Sequence, residues 1–439
     1  MGRRTVRVRG RRRTARWRGV CAAVVGTALA VLVPGRAALA ADTPPPYAFA
    51  PDTRTVTGAA TTTDARRLDL GETYRSTLPA GGKLYYALAL DETSDAYVSI
   101  TAVPRADATV SPTAGIRVSL QNADSRSCSI ESASFGMSRS PRPIVAWGAR
   151  ESFSPRTSCR GGGAYYVLVE RLDGADASPD AWELELAPVS EPRLERAAGT
   201  RAPEEWDSAP PQPPTNAAVR RPGGAGFDEA APLGHGVWST DVRPGQTLFY
   251  AVPVGWGQQL HVTAELGSTT RGGFVAGALT TSLYNPARVP VDDVSLGYSG
   301  TQKTGSLAPL PPAEYTNRYA HSRQVSAMRF AGSYVLAVHL SARMAEKYGD
   351  QPYGVTLRVR LDGTAGAAPA YAGEPEPRGL FDVAARGGEG ASGGGAAGAG
   401  GDAAMKALAV GGIGGGSLVL VVLGAWTVAA RRRGAGAAG

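Results

Sequence analysis

The sequence predicts an all-β protein: two β-sandwiches in tandem, held between an N-terminal secretion signal and one C-terminal transmembrane helix. Three observations carry this. The stretch Leu84-Tyr85-Tyr86-Ala87-Leu88-Ala89-Leu90 alternates, with Leu84, Tyr86, Leu88 and Leu90 on one face, and it returns 164 residues later as Leu248-Phe249-Tyr250-Ala251-Val252-Pro253-Val254. Short alternating runs recur between turn residues, and no amphipathic helix of respectable length interrupts them. Apolar runs near the two ends carry the flanking arginines of membrane-targeting segments.

Residues 1–40 read as a signal peptide. Arg3 to Arg18 is a charged leader, Val20 to Val33 is an apolar run too short to span a bilayer comfortably, and Ala38-Leu39-Ala40 is a cleavage pattern. Residues 41–66, rich in Pro, Thr and Ala, read as a disordered lead-in. The first repeat spans 67–187. After the Pro79-Ala80-Gly81-Gly82 turn and the opening strand, alternation predicts strands at Val98–Ala102, Ile116–Leu120, Tyr165–Val169 and Trp182–Leu186. A proline-rich linker, 188–228, follows and is expected to be stiff and without a core.

The second repeat spans 229–361. Val262-Thr263-Ala264 answers Ile100-Thr101-Ala102, and Ser282-Leu283-Tyr284-Asn285 answers Ser119-Leu120-Gln121-Asn122. Tyr334-Val335-Leu336 answers Tyr166-Val167-Leu168, Val355-Thr356-Leu357 answers Leu184-Glu185-Leu186, and Trp238 answers Tyr74. The offsets of the strand anchors run 164, 162, 163, 168 and 171, which is duplication with loop changes. Residues 362–404 form a Gly/Ala-rich stalk, about 35–40 Å across as a flexible chain. Ala407 to Ala430 is an uncharged run of 24 residues followed by Arg431-Arg432-Arg433, which predicts a membrane helix with residues 431–439 as a cytoplasmic tail and the ectodomain outside the cell. Its small-xxx-small pairs, Gly411/Gly415 and Gly412/Gly416, fit a helix homodimer.

The net charge of +8 is misleading. Ten arginines lie in 1–40 and Lys406 with Arg431–Arg433 close the chain, so residues 41–405 carry −6 and a nucleic-acid partner is not expected. Outside the cytoplasm, Cys128 and Cys159 are expected to form a disulfide.

The Pro/Gly turn, the Leu-Tyr-Tyr or Leu-Phe-Tyr strand, and the later Gly163-Ala164-Tyr165-Tyr166-Val167-Leu168 and Gly332-Ser333-Tyr334-Val335-Leu336 motifs resemble the bacterial pre-peptidase C-terminal (PPC) domain. The resemblance covers about 250 residues as two copies and rests on core and turn signals. It implies jelly-roll-like β-sandwiches that accompany secreted hydrolases, some of whose relatives bind polysaccharide, collagen or calcium. No peptidase domain accompanies the copies here, and the first carries what reads as a long insertion around its two cysteines.

No catalytic or cofactor motif stands out. His235, His261, His321 and His339 form neither H-E-x-x-H nor a zinc-like spacing with cysteine. Gly297-Tyr298-Ser299-Gly300 is not a nucleophile elbow, and Gly81-Gly82-Lys83 lacks P-loop spacing. Asp173, Asp176 and Asp180 share a loop that reads as a solvated turn or an oxygen-rich calcium loop. Tyr85 and Tyr165 read as packed side chains or as surface aromatics for sugar. The excursion 124–163 is the candidate interface: Arg126, Arg139, Arg142 and Arg156, with Trp147 and Phe153, combine charge and aromatics as interface centres do. The expected function is a non-enzymatic, membrane-anchored surface or accessory protein without cofactor or metal, docking an unknown protein or an envelope glycan. A hydrolase with an unrecognised site and a structural spacer are the alternatives.

Overall fold

The structure is a computed structural model describing residues 47–152, 157–173, 178–270 and 272–383. The signal peptide 1–40, the start of the lead-in, stalk residues 384–404, the membrane helix 407–430 and the tail 431–439 lie outside the described residues. Among the described residues no helix is long and apolar enough to cross a membrane.

The described chain is all-β. The first sandwich comprises β1 (Arg54–Thr55), β2 (Arg66–Arg67), β3 (Tyr74–Leu78), β4 (Lys83–Leu90), β5 (Asp95–Val103), β6 (Gly115–Asn122), β7 (Ser127–Ser134), β8 (Ile144–Arg150), β9 (Gly163–Leu172) and β10 (Trp182–Glu191). The second comprises β11 (Val219–Arg220), β12 (Ala231–Pro232), β13 (Gly236–Val242), β14 (Thr247–Val254), β15 (Gln259–Leu266), β16 (Val275–Tyr284), β17 (Pro290–Tyr298), β18 (Lys303–Ser306), β19 (Gly332–Leu340) and β20 (Tyr353–Asp362). Two short helices, α1 (Arg323–Ala327) and α2 (Arg343–Tyr348), flank β19.

Sheet I has the order β1-β3-β10-β5-β8 and sheet II the order β2-β4-β9-β6-β7. Sheet III, β11-β13-β20-β15-β18, and sheet IV, β12-β14-β19-β16-β17, repeat those orders with every strand shifted by ten. The duplication expected from the alternating strands is therefore a duplication of topology. Period-two alternation fills each interior: Tyr86, Leu88, Ile100, Val118, Val167 and Leu184 in the first core, and Tyr250, Val252, Val262, Leu283, Leu336 and Val355 in the second.

Pairing fixes the true correspondence. Tyr86 opposes Val167 as Tyr250 opposes Leu336, and Leu88 opposes Tyr165 as Val252 opposes Tyr334. The β9/β19 offset is thus 169, one more than the sequence match, so Tyr165 corresponds to Tyr334. The two tyrosines behave alike: each is buried, and its hydroxyl donates to the carbonyl four residues earlier, Gly161 at 2.6 Å and Phe330 at 2.8 Å. Gly163 and Gly332 open the two strands at φ 133° and 131°, a region that only glycine adopts freely. In β5/β15 the offset is 164 and not 162, because Ile100 and Ala264 are the residues that oppose Leu186 and Leu357. A two-residue slip keeps the same face inward, so sequence alternation does not detect it.

Three other expectations change. The excursion around the cysteines is no insertion. It forms β7 and β8, and the second copy builds β17 and β18 from the matching stretch. The lead-in is ordered from Tyr47 and supplies β1. The stalk stays ordered through Val383, with Tyr371 and Glu376 bridging back to Leu194 and Ser190.

Candidate functional site: the seam and the open sheet

The outward face of sheet I packs on the outward face of sheet IV. One apolar cluster joins Tyr97, Ala149 and Val189 of the first sandwich to Ala287, Val289 and Phe330 of the second, with Leu380 and Phe381 from the segment beyond. Another joins Val145 to Phe249, Tyr284, Val335 and Ala337. Strand β5 is consequently buried on both faces, although its sequence alternates like a strand with one wet side.

Arginines of the second sandwich grip acids of the first across this seam. Arg318 donates to both oxygens of Glu191, at 3.1 and 2.5 Å, and to Asp95 at 3.2 Å. Arg329 pairs with Glu151, and Arg288 lies 3.3 Å from Glu185 and 2.7 Å from Asp228. Tyr47 donates to Glu185 and Tyr371 to Glu191 at 3.0 Å, so segments before and after the sandwiches join the network. Asp95 is the less well served carboxylate: burial, with Glu191 beside it, pushes its pKa up to about 6.

A Ser–His pair also crosses the seam. His339 Nε2 lies 2.8 Å from Ser140 Oγ, and its Nδ1 lies 2.9 Å from Thr247 Oγ1. Both residues are inaccessible, His339 at 1% exposure and Ser140 at 0%. Burial, then the nearby Arg142 charge, holds the imidazole pKa down to about 3. With no access for substrate the pair serves as a clamp, and the main-chain N–H of Ala342 donates to the same serine at 2.9 Å.

The six candidate interface residues do not form one surface. Trp147 is half-buried against the seam cluster and lines a cavity of about 110 Å³ with Phe330 and Val289. Arg142 is held inside, donating to the Phe135 carbonyl and Ser138 Oγ, both at 2.9 Å, and burial lowers its pKa. Arg126 and Arg139 are exposed in turns, and Phe153 and Arg156 lie outside the described residues. Arginine and tryptophan in one stretch thus partly serve the chain's own second copy. Composition alone does not reveal which partner such a stretch meets.

Cys128 and Cys159 are bonded, with Cα atoms 5.6 Å apart, tying β7 to the entry of β9. Asn122 organises the adjacent hairpin: its Oδ1 accepts from Asp124 and Arg126 N–H groups, and its Nδ2 donates to Ser158. Asn285 repeats all three bonds with Ala287, Val289 and Ala327. These contacts match Cys128 to Val291 and Cys159 to Met328, both buried in the second core.

Asp173 accepts from the Gly81 N–H at 2.5 Å and pairs with Arg171 at 2.6 Å, while Asp180 accepts from Ser178; Asp176 lies outside the described residues. Among the described residues no group of three or more His, Cys, Asp or Glu side chains is placed to hold a metal ion.

No family model and no curated protein matches the chain. Solved structures match it remotely. The CUB1-EGF-CUB2 region of human MASP-1/3 is 6% identical, covering 66% of this chain and 99% of that one at a TM-score of 0.17. The tandem CBM22 domains of Paenibacillus barcinonensis Xyn10C are 12% identical, covering 64% and 83% at 0.17. The infectious bursal disease virus Gx strain structure is 13% identical, covering 64% and 60% at 0.22. Likenesses this distant do not bear on what the chain binds. The fold stands on its own geometry as tandem β-sandwiches.

Two surface features escaped the sequence. Trp256, Tyr371 and Phe381 line a groove of about 660 Å³ near the last described residue. Sheet II carries Tyr85 and Tyr166 outward, while Tyr165 points into the core. The one-residue slip in β9 had hidden that pair.

Proposed function

We propose that the chain is a non-enzymatic, membrane-anchored surface protein, related to the PPC domain, whose two sandwiches form one rigid ectodomain that binds or assists a partner outside the cell. The seam is the observation that carries this reading. Fusing sheets I and IV buries the Ser140–His339 pair and turns a flexible tandem into a single block whose remaining open faces are suited to recognition. Apolar contact joined to buried Arg–carboxylate pairs fixes orientation, which a binding scaffold needs and a mere spacer does not.

The test uses the full chain solubilised from its native membrane. Co-purification of a constant partner set, with no turnover on broad peptide and glycan panels, is expected. Turnover on any panel substrate, above all turnover abolished by Ser140→Ala, or a chain that retains nothing beyond itself, would contradict the reading.

A further inference from the structure

The two copies present matching faces with opposite fates. The outward face of sheet IV is buried against the first sandwich, whereas the matching face of sheet II is open. Position by position, Phe249, Val335 and Ala337 of the buried face become Tyr85, Tyr166 and Leu168 on the other; the two tyrosines are half-exposed and Leu168 is 8% exposed. Phe249 to Tyr85 adds a hydroxyl to the ring, and Val335 to Tyr166 puts a hydroxyl-bearing ring where the buried face has an aliphatic, which suits a face that must stand in water before it binds. Leu168 opposes Tyr85 across the β4/β9 ladder, and Ile130, opposite Ser119, adds an apolar side chain that is 52% exposed. Sheet III offers no such face: His261, Thr263, Glu265, Arg358 and Arg360 point outward there, and the linker crosses it through Gln212 and Pro214.

The rim is also kept. Arg160 stands where Arg329 stands in the second copy, as the shared tyrosine and asparagine bonds fix. Arg126 follows Ser125, the counterpart of Arg288, and both of those turn residues have positive φ, 60° and 57°. In the seam Arg288 and Arg329 hold acids at the edge of a docked sheet. The geometry points to sheet II as a docking face for an acidic protein partner, which presents a flat surface edged with carboxylates to Arg126 beside Tyr85, Tyr166 and Ile130. The inference rests on the binding reading above and names its surface. The four long strands β4, β9, β6 and β7, each about 4.8 Å wide and eight or more residues long at about 3.3 Å each, give roughly 500 Å² per side, near the lower end of specific interfaces. A transient complex, sensitive to salt, follows.

The experiment places a photo-cross-linking p-benzoylphenylalanine at position 130 of the full chain in intact cells, and at Thr263 on sheet III for comparison. A protein adduct from position 130 and none from 263 is expected. The captured protein, purified, should bind the intact chain and lose at least tenfold in affinity to Arg126→Glu or Tyr166→Asp. It should also bind several-fold more weakly at 300 mM than at 50 mM salt. Arg126 lies in an exposed turn, so its reversal should leave the circular dichroism unchanged and separate binding from folding. A polysaccharide adduct, a second copy of this chain, or a partner indifferent to both variants overturns the assignment. A partner reached only from position 263 overturns this face while leaving the binding reading intact, and no adduct from either position together with no co-purified partner overturns both.

Discussion

Strands β5 and β15 occupy the same place in two sandwiches of the same topology, and they meet different surroundings. Outward from β5 stand Tyr97, Ser99 and Thr101, and from its neighbour β10 stand Ala187 and Val189; all are buried. Outward from β15 stand His261, Thr263 and Glu265, and from β20 stand Arg358 and Arg360; all keep partial contact with solvent. The inward rows hardly differ. One backbone thus makes an internal interface or a wet surface according to five outward side chains: none of the five on the first sandwich carries a charge, whereas Glu265, Arg358 and Arg360 of the second would have to be desolvated as ions.

The comparison breaks most severely at Arg318. Replacing it with alanine leaves Asp95 and Glu191 buried without their cation, and a loss of about 3–5 kcal/mol is expected in urea unfolding. Gln259, which takes the place of Asp95 in the second copy, binds only backbone carbonyls, so Gln259→Ala should cost about 1–2 kcal/mol.

The disulfide comes next. Closing the loop between residues 31 apart in sequence is worth about 3–4 kcal/mol in the chain-entropy model. Cys128→Ala with Cys159→Ala should remove most of that. At the matching site the second copy uses apolar burial, so Met328→Ala should cost about 2–5 kcal/mol by cavity formation and be indifferent to reductant. Calorimetry with and without reductant separates the two devices.

His339 sharpens the contrast through pH. Its folded pKa, near 3, is below the unfolded value of about 6.5, so the unfolded chain binds the proton first. Its contribution is therefore complete above about pH 6.5 and is lost as pH falls toward 3. Between pH 6.5 and 4.5 the loss amounts to at most about 2.7 kcal/mol. Asp95, raised to about 6, acts with the opposite sign between about pH 4 and 6, but it is common to both proteins when wild type is compared with His339→Gln. The variant should lose less stability on acidification, as read from urea midpoints. The matching residue of the first copy, Glu170, lies at the surface in ion pairs with Lys83 and Arg117.

The smallest effect has the opposite direction. The hydroxyls of Ser99 and Thr101 are buried in the seam without a hydrogen-bond partner. Thr101→Val should stabilise the protein by about 1 kcal/mol. Thr263 in the second copy is bonded to Ser306 at 2.9 Å, so Thr263→Val should be neutral or destabilising. Thermal midpoints of the two variants check the pair.

Much of the fold was legible in the chain. Leu84–Leu90 and Leu248–Val254 set both interiors and the duplication because core rows must alternate. The Cys128–Cys159 bond followed from reading the chain as exported with two cysteines left. Register was less legible, since Tyr165-Tyr166 offers two tyrosines where the second copy has Tyr334-Val335, and only pairing with Leu88 and Val252 chooses between them. The seam was not legible at all. Ser99 and Thr101 look like solvent-facing residues, and Arg288, Arg318 and Arg329 sit between strands, with their partners in the first sandwich 100 or more residues away. Hence Trp147 and Arg142 were read as facing an outside partner when they face the second copy.

Hydroxyl-radical footprinting of the intact chain reports whether the sandwiches form one block. Tyr97 points out of the first sandwich yet is 1% exposed because the second covers it. Tyr166 points out of the opposite sheet and is half-exposed. Tyr97 should be oxidised at least tenfold more slowly than Tyr166, and Arg318→Ala should narrow the difference. Equal oxidation of the two tyrosines in the wild-type chain would show the sandwiches hanging apart and would contradict the account.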